Sequence, residues 1–173
     1  MEEVKRLQCL EEAGLREYER TRSSVDRAGQ RENLEVEISD ALAKAYFEKF
    51  LVRAEILEEF QKRKAYSDVI REGQEALELF TKGLLRCIGV EPTHSHDPGK
   101  ELLPVRKNVP PPFFKRVDEI AEWSRKLRKD RELSFCGARD FVPTQEYSSD
   151  EALSVIRFLN SISKDLKKFI KDH

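Results

Sequence analysis

The chain has 173 residues, enough for one domain with an extension. Hydrophobic residues make up 39% and charged residues 38%, and Lys+Arg 32 against Asp+Glu 33 leaves a net charge of -1. That balance excludes a wholly basic nucleic-acid coat protein and an acidic disordered tail, while leaving room for a local basic patch.

Apolar residues recur at regular spacing, which argues against low-complexity disorder. The opening residues, Met1 to Arg6, hold no apolar run of the signal-peptide kind, and no stretch approaches the ~20 apolar residues of a membrane helix. Cys9, Cys87 and Cys136 are odd in number and far apart, so a reducing, cytoplasmic setting is expected. Three Asn, five Gln and one Met beside abundant Lys, Glu and Arg fit a thermophile.

Residues 2–20 read as a charged helix with a thin stripe of Val4, Leu7 and Leu10. Thr21 to Asn33 is polar and holds Gly29, as a linker does. Residues 1–33 are therefore expected to be a helical extension, and 34–173 the main domain. The extension is either a solvated helix or one that docks a partner or a second copy.

A long helix is expected from about Val36 to Phe60, with Ile38, Leu42, Ala45, Tyr46, Phe50, Ala54 and Leu57 at helical spacing. Gln61 to Lys64 is a polar break. A second long helix runs from about Tyr66 to Ile88, its apolar face made by Val69, Ile70, Ala76, Leu77, Phe80, Leu84 and Ile88. Gly89 stands where a left-handed C-terminal cap belongs. So short a connection makes the two helices antiparallel neighbours.

Asp97-Pro98 reads as an N-cap followed by Pro at the first helical position, opening a short helix that stops near Pro104. Pro110-Pro111-Pro112 is a rigid spacer. A third long helix starts near Phe113 and runs to about Leu133, burying Phe113, Val117, Ile120, Ala121, Ser124 and Leu127. Cys136 to Tyr147 is a loop. Ser148 and Glu151 form a capping box. The last helix carries Ala152, Val155, Ile156, Leu159, Ile162, Leu166 and Ile170, with Lys164, Lys167, Lys168 and Lys171 towards its negative end. The fold class is all-α: an up-and-down antiparallel four-helix bundle with a short crossover helix and an N-terminal helical extension.

No GxGxxG, GxxxxGK or GxSxG motif is present. His94-Ser95-His96-Asp97 brings two imidazoles and a carboxylate together, but zinc needs further ligands and no cysteine is near. No metal or cofactor is expected, and the segment reads as a polar loop site. Arg125 to Glu132 has five basic residues in eight. Arg125, Arg128 and Lys129 share a helix face at i, i+3 and i+4. With Arg131 they would neutralise phosphate oxygens, and Tyr147 could stack on a base or shape a pocket. The alternative is a solvated face.

From about Ser39 onwards the chain resembles the prokaryotic HEPN family. The stretch Ala65 to Pro92 is similar to the family's second helix, where Glu75-Ala76 leads to Lys82-Gly83-Leu84-Leu85 and the Gly89 turn. His96-Asp97 is similar to the family's His-Asp after that helix. Arg131 to Gly137, then Tyr147 to Ala152, are similar to its closing loop and last helix. The resemblance implies a four-helix bundle, often a symmetric dimer. It implies RNA cleavage, nucleotide binding or toxin–antitoxin pairing with a minimal nucleotidyltransferase.

Nuclease members carry Arg, four to six intervening residues, then His. Here the positions that would hold Arg before His94 are Cys87, Ile88 and Gly89; before His96, Gly89, Val90 and Glu91; before His173, Leu166, Lys167 and Lys168. After Arg131 the His positions hold Cys136, Gly137 and Ala138. The imidazole that would shuttle protons near neutral pH is missing. The expectation is a non-catalytic, dimeric module with no catalytic residues. It would bind nucleotide or RNA phosphate, or act with a nucleotidyltransferase. The alternatives are a divergent metal-independent ribonuclease drawing on His94 or His96, and a protein–protein scaffold.

Overall fold

In the computed structural model, the described residues are 41–94, 97–136 and 147–171, with 131–136 described as helix backbone. The expected extension, residues 1–33, lies outside them. The described chain is helical: α1 (Ala41–Lys62), α2 (Tyr66–Cys87), the short α3 (Gly99–Leu102), α4 (Val117–Cys136) and α5 (Ser149–Lys171). Single 3-10 turns at Arg106–Asn108 and Phe113–Arg116 lead into α4. The four long helices form the expected bundle, and α3 is the crossover helix.

The centre of the bundle is α2, which packs against α1, α4 and α5. Its buried residues occupy most of its circumference, and they include Gln74, Glu78 and Thr81 as well as aliphatic side chains. A chain of rings joins the helices. Phe80 meets Phe47 at 6.1 Å, Phe50 at 5.1 Å and Phe113 at 5.2 Å, and Phe113 meets Phe169 at 5.9 Å. Tilted and edge-on contacts of this kind add to the burial of apolar area. Gly83 makes room for Phe47, because a Cβ there would fall 2.5 Å from that ring.

The ends of the helices follow from local chemistry. Lys64, at φ 59°, turns α1 into α2, and the Ala65 amide donates to the Phe60 carbonyl at 2.9 Å. Gly89 adopts φ +75°, and the Val90 amide closes back on the Leu85 carbonyl at 2.9 Å. The capping box of α5 is complete. The Ser148 amide donates to Glu151 Oε2 at 2.9 Å, and the Glu151 amide donates to Ser148 Oγ at 3.2 Å.

Three expectations need correction. The buried face of α1 is Ala43, Phe47, Phe50, Ala54 and Leu57, whereas Leu42 is exposed and Ala45 and Tyr46 are half-buried. Phe47 fills the gap at Gly83, and that contact turns the first half of the helix by one residue. At the end of α5, Phe169 is buried and Ile170 exposed, because Phe113 offers Phe169 a ring to pack on. The crossover helix starts at Gly99, with Pro98 in the cap position. The Asp97 carboxylate is buried and accepts a hydrogen bond from Ser124 Oγ at 2.8 Å, which ties the crossover to α4.

Candidate functional site

The basic cluster lies on the second half of α4. Leu127, fully buried, anchors this half, and Arg125, Arg128 and Lys129 project from it into solvent. The α4 backbone continues through Cys136, which places Arg131 on the same helix, one turn beyond Arg128. The side chain of Arg131 is outside the described residues.

Six other arginines of the bundle have carboxylate partners, whereas Arg157 on α5 shows none among the described residues. Arg53 and Arg71 meet Glu72, Arg63 meets Glu59, Arg86 meets Glu91, Arg106 meets Asp118, and Arg116 meets Glu119 and Asp165. Arg125, Arg128 and Lys129 make no ion pair among the described residues. An exposed guanidinium without an internal carboxylate keeps its donor fork available for an external anion.

Tyr147 enters α5 beside this helix end. It is half-buried, and its hydroxyl donates to the Asp130 carbonyl at 2.9 Å. Burial, reinforced by the charges of Asp130 and Glu151, pushes its pKa up to about 12. It is a neutral brace between the end of α4 and the start of α5. Burial also raises the Asp130 carboxyl, against the pull of Lys126, while the Ser148 amide and hydroxyl lower Glu151.

The residue before the His94–Asp97 segment and the residue that ends it have structural duties. Glu101 accepts a hydrogen bond from the Thr93 amide at 3.1 Å, and Asp97 binds Ser124. His94 is exposed, and His96 lies outside the described residues. Among the described residues, no three His, Cys, Asp or Glu side chains come together as a metal set.

Two features escaped the sequence reading. Trp123 stacks on Phe158 at 4.8 Å and 15°, with Lys126 Nζ 4.8 Å from the indole and the Arg116 guanidinium 5.8 Å from the Phe158 ring. This cation–aromatic stack bridges α4 and α5. Along the outside of α5, Arg157, Lys164, Lys168 and Lys171 are exposed at helical spacing and make no ion pair among the described residues. The lysines were legible as dipole partners. Arg157, about two turns before Lys164, was the signal that they form a row.

The sequence pattern of the HEPN domain matches residues 38–169. The chain belongs to the HEPN family. No curated protein and no solved structure matches it at a significant level. HEPN membership fits an RNA- or nucleotide-related module. No helix among the described residues is long and apolar enough to cross a membrane.

Proposed function

We infer that this HEPN domain is a catalytically silent, cytoplasmic module that recognises nucleotide or RNA phosphate through Arg125, Arg128, Lys129 and Arg131. It works as a homodimer or with a minimal nucleotidyltransferase in a toxin–antitoxin-like pair. The observation that carries the reading is the exposure of Arg125, Arg128 and Lys129 without ion pairs among the described residues. Tyr147 serves the site as the brace that holds the helix end, since its hydroxyl is bonded to the Asp130 carbonyl. Residues 1–33 are an appended arm, a division supported by the family match beginning at residue 38.

Silence rests on chemistry. Metal-independent RNA cleavage needs a group that titrates near neutral pH beside the phosphate-holding arginine. The positions five to seven beyond Arg131 are Cys136, Gly137 and Ala138, and a thiol of pKa about 8.5 does not replace an imidazole as an acid/base pair.

Fluorescence binding of short single-stranded RNA and of ATP at two salt concentrations, with cleavage read on a gel, tests the reading. The expected result is salt-sensitive binding without cleavage. Cleavage without metal, abolished by Arg131→Ala, would convert the module into a divergent ribonuclease. Absence of binding to either ligand would leave the scaffold role.

A further inference from the structure

Tyr147 is the aromatic residue expected to stack beside the basic cluster, and its hydroxyl is tied to the Asp130 carbonyl. The fold supplies a different ring. Trp123 is half-buried where α4 faces α5, on the helix that carries the cluster. Phe158 stacks on it at 4.8 Å with 15° between the planes, and Lys126 Nζ lies over the indole, 4.8 Å from its centroid. The Arg116 guanidinium closes the series, 5.8 Å from the Phe158 ring.

The two ends of this stack differ. Arg116 is fixed by Glu119, Asp165 and Ser161. Lys126 is exposed and makes no ion pair among the described residues. Asp130 and Glu151 feel its charge, yet neither is bonded to it. Its ammonium rests on the indole, and such a contact at an exposed site is worth about two- to fivefold in an equilibrium constant. A nucleobase stacked on an aromatic ring is worth about five- to a hundredfold, so a base outcompetes the ammonium. The flexible four-carbon stem of Lys126 then carries its charge to a neighbouring anion. Such an anion has a path to follow. Lys126 and Lys129 come after Trp123 in steps of three residues, each about 4.5 Å along α4 and about 60° round it. Arg125 and Arg128 continue the same arc. The cations start at the ring and lead away from it, as phosphates lead away from a stacked base. Glu119 and Glu122 precede Trp123, so the path runs towards the C-terminal end of α4.

We propose that the outer face of Trp123 is a stacking platform for a nucleobase, at which the base replaces the Lys126 ammonium and Lys126 moves to the adjoining phosphate. This deepens the phosphate-recognition reading of the α4 cluster and rests on it. The cluster alone recognises charge, whereas the platform adds recognition of the base itself.

Tryptophan fluorescence of the full chain reads this site directly, because Trp123 is its single tryptophan. A short single-stranded RNA and an abasic strand of equal length and phosphate number are titrated at one salt concentration, with anisotropy of labelled strands as the second readout. The RNA is expected to bind about tenfold tighter than the abasic strand and to quench the indole, while the abasic strand binds without quenching. Equal affinity for the two strands overturns the platform and leaves the phosphate cluster standing. Failure of both strands to bind overturns both. ATP separates the sources of the base: quenching by ATP as well as by RNA extends the platform to free nucleotides, and quenching by RNA alone confines it to a strand. By anisotropy, Trp123→Phe is expected to keep most of the preference for the RNA and Trp123→Leu to lose it, with affinity for the abasic strand unchanged in both. The wild-type comparison decides the matter even where Trp123→Leu unsettles the bundle. Lys126→Gln is expected to weaken both strands alike by about two- to fivefold and to flatten the salt slope by about one unit. Wild-type affinity in that variant overturns the move of Lys126 to phosphate.

Discussion

Arginine occurs at both ends of α4, in opposite circumstances. Arg116, at the turn that opens the helix, is largely buried against Asp165, Glu119 and Ser161, at 2.8 to 2.9 Å. Burial works against its charge, but the Glu119 and Asp165 carboxylates outweigh that and hold its pKa above the ordinary arginine value. Arg125 and Arg128, two and three turns later, have solvent around them and no ion pair among the described residues. The residue type is the same and the work is different. One end of the helix uses its cation to fasten α4 to α5. The other end holds its cations out on a buried leucine.

The sharpest test of this contrast removes the leucine. Leu127→Ala should cost about 2–5 kcal/mol of stability, because Leu127 is fully buried. It should also weaken RNA binding, since the cations beside it lose their platform. A denaturant melt and a binding titration read the two effects. Loss of stability with unchanged affinity would separate the cluster from its anchor.

Replacing Arg125, Arg128 and Lys129 together by Ala should do the reverse. Stability should stay within about 0.5 kcal/mol, as for surface changes without partners. Affinity for single-stranded RNA should fall by about 10- to 100-fold, and the slope of log K against log salt should flatten by about two units for three lost phosphate contacts. Unchanged affinity would return the cluster to an ordinary solvated face. Arg116→Ala should behave as the opposite case, losing about 1–2 kcal/mol of stability through its hydrogen bonds to charged groups, with the salt slope unchanged.

The sequence carried more of the fold than of the site. The buried faces of α2 and α4 follow helical spacing, and Val69, Leu77, Ile120 and Leu127 are buried as expected. Ser148 with Glu151 and Gly89 marked helix ends by chemistry confined to a few neighbouring residues. Phe47 over Leu42 was not legible, because the choice depends on Gly83, 36 positions away, leaving room for a ring. The Trp123–Phe158 stack was hidden for the same reason. For the site, the basic run was plain in the sequence. Which cations were already held by carboxylates was not, since partners such as Arg116 and Asp165 meet only in the folded bundle.

The smallest expected effects concern two carboxylates where α4 and α5 approach, and they differ in sign. The Ser148 amide and hydroxyl hold Glu151 below the usual carboxylate range. Its contribution is therefore fully present above the unfolded pKa of about 4.3 and is lost as pH falls through the lower folded value. Asp130 is shifted the other way, chiefly by burial, so its ionisation opposes folding at neutral pH and that opposition is relieved on acidification. Glu151→Gln should cost about 0.5–1 kcal/mol at pH 7 through the weakened capping box and nothing at pH 2. Asp130→Asn should be neutral or stabilising at pH 7, with its advantage disappearing at low pH. Parallel pH-stability curves for the two variants would remove the distinction between a carboxylate that the helix start recruits and one that the packing merely tolerates.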